Sequence, residues 1–210
     1  MKITGMHTYV LQAMLGPRAF GWSQRVTDRR QTAICVVSTD AGIQGLGEAF
    51  YFGGPAAIAA AIIDEAIGPL LVGSDPLDTS VIWDRLYNWT RDQGQKGLTI
   101  SALSAIDIAL WDVKGKALGL PVYTLLGGAY RRRARAYATG LYEPQNVPSI
   151  SDALVEEAQG YKAAGFKGMK LKVGYGLDTD LGYIAAIRGA IGKDLALMVD
   201  ANHAYNAGEA

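Results

Sequence analysis

The chain has little that could cross-link it or bind a soft metal. Of its 210 residues one is cysteine, Cys35, and two are histidine, His7 and His203. No disulfide framework or thiolate metal site can form within it, which suits a reducing compartment. Cys35 stands inside the apolar run Ala33-Ile34-Cys35-Val36-Val37 and reads as a small buried hydrophobe rather than a nucleophile. An excess of either charge is missing too, because 20 basic and 20 acidic side chains cancel. That balance leaves no electrostatic footprint for nucleic acid and no acidic tail. Long hydrophobic runs are also absent. The longest mostly apolar stretch, Pro55 to Ile63, is rich in alanine and ends at Asp64 and Glu65, so it reads as a helix on a core and not as a membrane span. Met1-Lys2-Ile3-Thr4 lacks the charged start and apolar centre of a leader peptide. The expectation is a soluble cytoplasmic protein with no nucleic-acid or membrane partner.

What is present is ordinary globular composition, half of it hydrophobic, enough for a sizeable core. Ile3 to Leu11 reads as a strand, and Gly16 to Arg30 as a loop too polar and irregular for core. Gln31 to Thr39 and Ile43 to Ala49 form a hairpin around the turn Asp40-Ala41-Gly42. Gly42, Gly45 and Gly47 lack the spacing of a dinucleotide fingerprint, and the hairpin accounts for them. Helices are expected over Pro55–Ile67, Asp78–Arg91 and Thr99–Leu118. In the last, Leu103, Ile106, Leu110, Val113 and Ala117 make one apolar face, and Asp112 with Lys116 is a favourable i,i+4 pair. From Arg135 the pattern becomes strand, helix, strand, helix, strand. The strands are Arg135–Thr139, Phe166–Val173 and Leu195–Asn202, the helices Ser151–Ala164 and Asp178–Ile191, with a further helix starting near Asn206. That order predicts parallel strands with right-handed crossovers, in either an open sheet or a closed barrel. Two domains follow: a mixed cap over residues 1–130 and a β/α domain over 131–210.

Two strand ends could carry chemistry. In Gly168-Met169-Lys170-Leu171-Lys172-Val173 the period of two puts Lys170 and Lys172 on one face and the apolar residues on the other. In a barrel the apolar side packs on helices and the lysines point inward. Two ammonium groups about 7 Å apart along a strand should lower each other's pKa and prepare one as a base. In an open sheet the same pair would be a solvated face. In Asp200-Ala201-Asn202, Asp200 and Asn202 share a face at the carboxyl end of a strand, where α/β folds place their sites. Asp200 is a hard oxygen ligand suited to Mg²⁺, or simply part of a turn that caps a helix. Taken together, a metal and a lysine on neighbouring strands suit abstraction of a proton alpha to a carboxylate. A Schiff base on Lys172 is the competing chemistry. His203 alternates away from Asp200 and reads as a loop residue, His7 as structural. Phe20, Trp22, Arg25 and, after the hairpin, Tyr51 lie on loops suited to closing over an anionic substrate, or to plain surface.

The run Ser101-Ala102-Leu103-Ser104-Ala105-Ile106-Asp107-Ile108-Ala109-Leu110-Trp111-Asp112-Val113-Lys114-Gly115-Lys116, followed by Gly119-Leu120-Pro121 and Leu125-Leu126-Gly127-Gly128, resembles the mandelate racemase/muconate lactonizing group of the enolase superfamily. Lys170-x-Lys172, Asp200-x-Asn202 and Gly45-Leu46-Gly47-Glu48-Ala49 match that group in order and spacing. The resemblance covers essentially the whole chain. It implies an α+β capping domain followed by a (β/α)7β TIM-like barrel, of which this chain would hold the first three β/α units, truncated before closure. It implies Mg²⁺ held by three carboxylates, Asp200 the first, with Lys172 as general base, Lys170 beside it on the substrate carboxylate, and Asn202 on the substrate. Phe20, Trp22, Arg25 and Tyr51 would close the site. Leu86-Tyr87-Asn88, Arg91 to Gly97, Arg135 to Gly140 and Asp200 to His203 look most like galactarolactone cycloisomerases, with acid-sugar dehydratases close behind and racemases in the same group. The resemblance therefore implies a small-molecule carboxylate substrate and a homo-oligomer when full length. With one carboxylate of three, the 210 residues alone are expected to be inactive, an incomplete fragment or binding remnant with open strand edges.

Overall fold

The computed structural model describes residues 1–23, 25–50 and 55–210. Its strands are β1 (Ile3–Met14), β2 (Phe20–Trp22), β3 (Arg25–Thr27), β4 (Arg29–Thr39), β5 (Gln44–Ala49), β6 (Ala138–Thr139), β7 (Glu143–Pro144), β8 (Gly168–Lys172) and β9 (Ala196–Asp200). Its α-helices are α1 (Ala56–Ala61), α2 (Thr79–Trp89), α3 (Leu98–Leu118), α4 (Val122–Leu125), α5 (Ile150–Ala163) and α6 (Leu177–Ile191). They fall into two compact units. One comprises residues 1–13 and 31–132, the other 14–30 and 133–210.

In the first unit β1, β4 and β5 form a sheet in that order, with β4 and β5 antiparallel from Ala33 opposite Ala49 to Ser38 opposite Gln44. The strand period shows directly. Ala33, Cys35 and Val37 are buried, and they join Leu103, Ile106, Leu110 and Val113 of α3 in one core. The approach of α3 to β5 is closer than a side chain allows. A Cβ on Gly45 would lie 2.0 Å from the Ala109 carbonyl oxygen, and one on Gly47 1.9 Å from that of Ala105. These two glycines therefore serve helix packing and not the hairpin; only Gly42, at φ +73°, is required by the turn. Asp112 of α3 accepts from Lys116 at 2.7 Å and from the Leu46 amide at 2.9 Å, so the expected helix pair also fastens helix to strand. The helix expected over Pro55–Ile67 changes character midway: after α1 the backbone widens into a π turn over Ile62–Ile67. That turn carries Asp64, which accepts from the Thr8 hydroxyl at 2.7 Å.

In the second unit β6, β8 and β9 are parallel, with β8 central. Met169, Leu171 and Val173 are buried in a core with Leu154, Ala158, Ile187 and Ile191 of α5 and α6. Leu181 of α6, apolar like these residues, is exposed. Ser149 caps α5 by accepting the Asp152 amide at 3.3 Å. The helix expected near Asn206 is a series of turns. Residues 14–23 and 25–30 are more ordered than their composition suggests. β2 pairs antiparallel with both β3 and β7, and Gly21 and Trp22 are buried. Backbone pairing, rather than apolar content, makes this segment part of the unit.

Candidate active site

The parallel register puts Lys172 beside Asp200, and the chemistry gathers there. The Lys172 ammonium donates to Asp200 Oδ2 at 2.7 Å and to Asn202 Oδ1 at 2.9 Å; Lys170 donates to the same Oδ2 at 3.0 Å. One carboxylate oxygen thus serves both lysines. Asn202 arrives by a different route from strand alternation. It lies beyond β9 in the left-handed region, φ 55°, and its amide donates to Asp200 Oδ1 at 2.9 Å. The local Asp–Asn turn turns its side chain back to Lys172. Lys172 is 6% exposed, so its charge is tolerated only because Asp200 compensates it.

The electrostatics correct one expectation. The lysines were expected to depress each other's pKa, but the Asp200 hydrogen bond pushes that of Lys170 up. Reciprocally, the hydrogen bond from Lys172, then that from Lys170, holds the Asp200 carboxyl well below the usual carboxylate range. A shared counter-ion outweighs repulsion between the two cations.

Tyr142, which sequence reasoning passed over, lies beneath the cluster. The Lys172 ammonium is 5.4 Å from its ring centroid, and the Phe20 ring is 4.5 Å away on another side. Its signal was position, as an aromatic just past β6 at the carboxyl end of the sheet. The preceding Leu141 is buried at φ 51°, an unusual conformation for leucine. It is held by its amide, which donates to Glu157 Oε1 at 3.2 Å, and its carbonyl, which accepts from the Lys172 amide at 3.1 Å. Phe20 therefore reaches the cluster through Tyr142. Trp22 stands one step further, 6.2 Å from Phe20, with the Arg25 guanidinium 5.7 Å over its ring. Tyr51 lies outside the described residues. His203 is exposed, and so is His7, whose ring meets Tyr9 edge-on. Cys35 is fully buried, and burial pushes its thiol up to about 12, which rules out a thiolate nucleophile.

A divalent cation needs several hard oxygens. The described residues offer Asp200 as one, at a strand end and partly exposed. They contain no group of three His, Cys, Asp or Glu side chains that could hold a metal ion. They fit a contribution to a metal site and not a whole one. Among the described residues no helix is long and apolar enough to cross a membrane.

A parallel β/α sheet with paired lysines and an aspartate at adjacent strand ends defines a class, β/α proteins whose polar side chains gather at the carboxyl ends of neighbouring strands. The particular family is clear from the chain as a whole. The model of the mandelate racemase/muconate lactonizing enzyme N-terminal domain matches residues 8–127, and that of the enolase C-terminal domain-like family matches residues 153–210. The chain belongs to the mandelate racemase/muconate lactonizing enzyme family of the enolase superfamily. It is 46% identical to a D-galactarolactone cycloisomerase of Agrobacterium fabrum, over 100% of this chain and 54% of that protein. It is 37% identical to an arabinonate dehydratase of Saccharolobus solfataricus, over 83% of this chain and 46% of that one. A 3,6-anhydro-D-galactonate cycloisomerase of Zobellia galactanivorans superposes with a TM-score of 0.85 at 41% identity, over 100% of this chain and 53% of its own. The chain spans about half the length of the relatives it matches.

Proposed function

We propose that the intact protein abstracts the proton alpha to the carboxylate of a sugar acid or its lactone and then eliminates or opens a ring, in the manner of a galactarolactone cycloisomerase. The observation that carries this reading is the buried Lys172 sharing one Asp200 oxygen with Lys170 at adjacent strand ends. Lys172 is the base. It accepts the alpha proton in its neutral form. Lys170, more exposed and 3.0 Å from Asp200, is placed to meet the substrate carboxylate. Asn202 and Tyr142 present an amide and a phenol to hydroxyl groups. Asp200 contributes one oxygen to a Mg²⁺ site whose other ligands are not among the described residues. Phe20, Trp22 and Arg25 shape the entrance. Relatives named as cycloisomerases and dehydratases support a sugar-acid substrate, and acid-sugar dehydration or racemisation would share the first step.

The test uses the intact protein in D₂O with Mg²⁺, D-galactarolactone and a panel of acid sugars, following the alpha-proton signal by NMR. Exchange or product formation is expected. Lys172→Met should lose about 100-fold or more, the usual contribution of a positioned base. Wild-type rates in that variant would remove Lys172 from the chemistry.

A further inference from the structure

One buried charge in the second unit takes no part in the site as described so far. Asp180, in the first turn of α6, is 2% exposed. No cation faces it. Three donors do: the Gly174 amide at 2.9 Å and the Tyr205 hydroxyl at 2.7 Å on Oδ2, and the Tyr175 amide at 3.2 Å on Oδ1. Gly174 and Tyr175 follow β8, and Tyr205 follows β9, so one carboxylate ties together the loops that leave the two lysine- and aspartate-bearing strands.

Those loops are also where the β2–β3 hairpin is fastened. The Tyr175 hydroxyl donates to the Gly21 carbonyl at 3.2 Å, and the Ser23 hydroxyl donates to the Ala201 carbonyl at 3.1 Å. The fit leaves no slack at Gly174, where an added Cβ would lie 2.5 Å from Ala204 Cβ and 2.8 Å from Ser23 Cβ. We infer that Asp180 is a positioning residue that fixes the β2–β3 hairpin against the Lys172–Asp200 cluster by organising the loops after β8 and β9. It touches no reacting atom. Its effect passes through Tyr175 to Gly21, and so to Phe20 and Trp22 on the same short strand. Asparagine at 180 has one acceptor oxygen where three donors converge, so it must present its amide nitrogen to at least one of them.

The first arm of the test is limited trypsin digestion of the intact protein, following cleavage after Arg25. Asp180→Asn should speed that cleavage about tenfold, the scale of losing a hydrogen bond to a charged acceptor. Tyr175→Phe, which keeps the loop backbone and removes only the hydroxyl, should speed it about fivefold. Cleavage after Lys162 and Arg188 should stay at wild-type rates in both. The inference is overturned if hairpin cleavage is unchanged in Tyr175→Phe, or if cleavage rises equally at all three sites, the mark of general loosening. A second arm rests on the proposed sugar-acid activity. Tyr175→Phe should raise KM about fivefold with kcat within about twofold, and an unchanged KM in an active enzyme overturns the inference. The digestion needs no turnover, so absence of activity on every sugar acid would sink the proposed reaction alone.

Discussion

Replacing Asp200 by asparagine should destabilise the second unit through its lysines. Asparagine keeps one acceptor oxygen but carries no charge, so Lys172, whose side chain is 7% exposed, would lose its counter-ion. Removing one member of a buried ion pair typically costs about 3–5 kcal/mol. Asp200 and Lys170 are 28% and 22% exposed, and solvent screens part of the loss. About 2 kcal/mol is therefore expected. Lys172→Met should cost less, because it removes the charge that needs a partner. The double variant should lie above the sum of the singles by about 1 kcal/mol or more, since the two residues are in direct contact. The sign with pH follows from the shift. The Asp200 carboxyl is held below its ordinary 3.8, so its contribution is fully present above about pH 4 and is lost as pH falls through the folded value. Lys170 is raised above its ordinary 10.5, so its share persists through neutrality and is lost only in strong base. Urea unfolding of the four proteins at pH 7 and in acid measures this. The reasoning fails if Asp200→Asn lies within about 0.5 kcal/mol of wild type at pH 7, or if the singles simply add.

Gly47→Ala should be among the most damaging single-methyl changes in the chain, about 3 kcal/mol or more by thermal unfolding, because the added carbon meets helix backbone at 1.9 Å. Cys35 should stay unreactive to thiol reagents in the native protein at pH 8 and react on unfolding, since its thiol is buried and raised to about 12. Ser149→Ala should cost about 1 kcal/mol as the loss of an N-cap. Chelation of divalent cations should abolish alpha-proton exchange by the intact protein, and activity that survives chelation would remove Asp200 from a metal role.

Much of the site was legible because parallel strands make it so. Lys170 and Lys172 share a face by the strand period, which is readable where apolar residues alternate cleanly, and Asp200 was readable as the end of the next strand; the register that sets it beside Lys172 came from the structure. What escaped reading depends on contacts distant in sequence. The hydrogen bond of Asp200 to Lys170 reverses the expected shift, and no spacing rule weighs a partner 30 residues away against a neighbour two away. Trp22 looked like loop because the short strand it ends is paired, through Phe20 and Gly21, with β7 about 120 residues later. Gly45 and Gly47 were assigned to the hairpin because a sequence shows a missing side chain without showing what approaches it. Asp180 drew no reading at all, because an acid in a first helical turn is common, and its burial is what sets it apart.

The division of the chain has a consequence for anyone who recombines these proteins. The segment that carries Phe20, Trp22 and Arg25 is encoded inside the first third of the chain, yet it folds with residues 133–210. A chimera spliced near residue 132 would bring one parent's lysines and aspartate together with the other parent's hairpin. Such hybrids would pair a hairpin with strands it did not fold with in either parent, at a seam that looks, from the family boundaries, like a clean joint between modules.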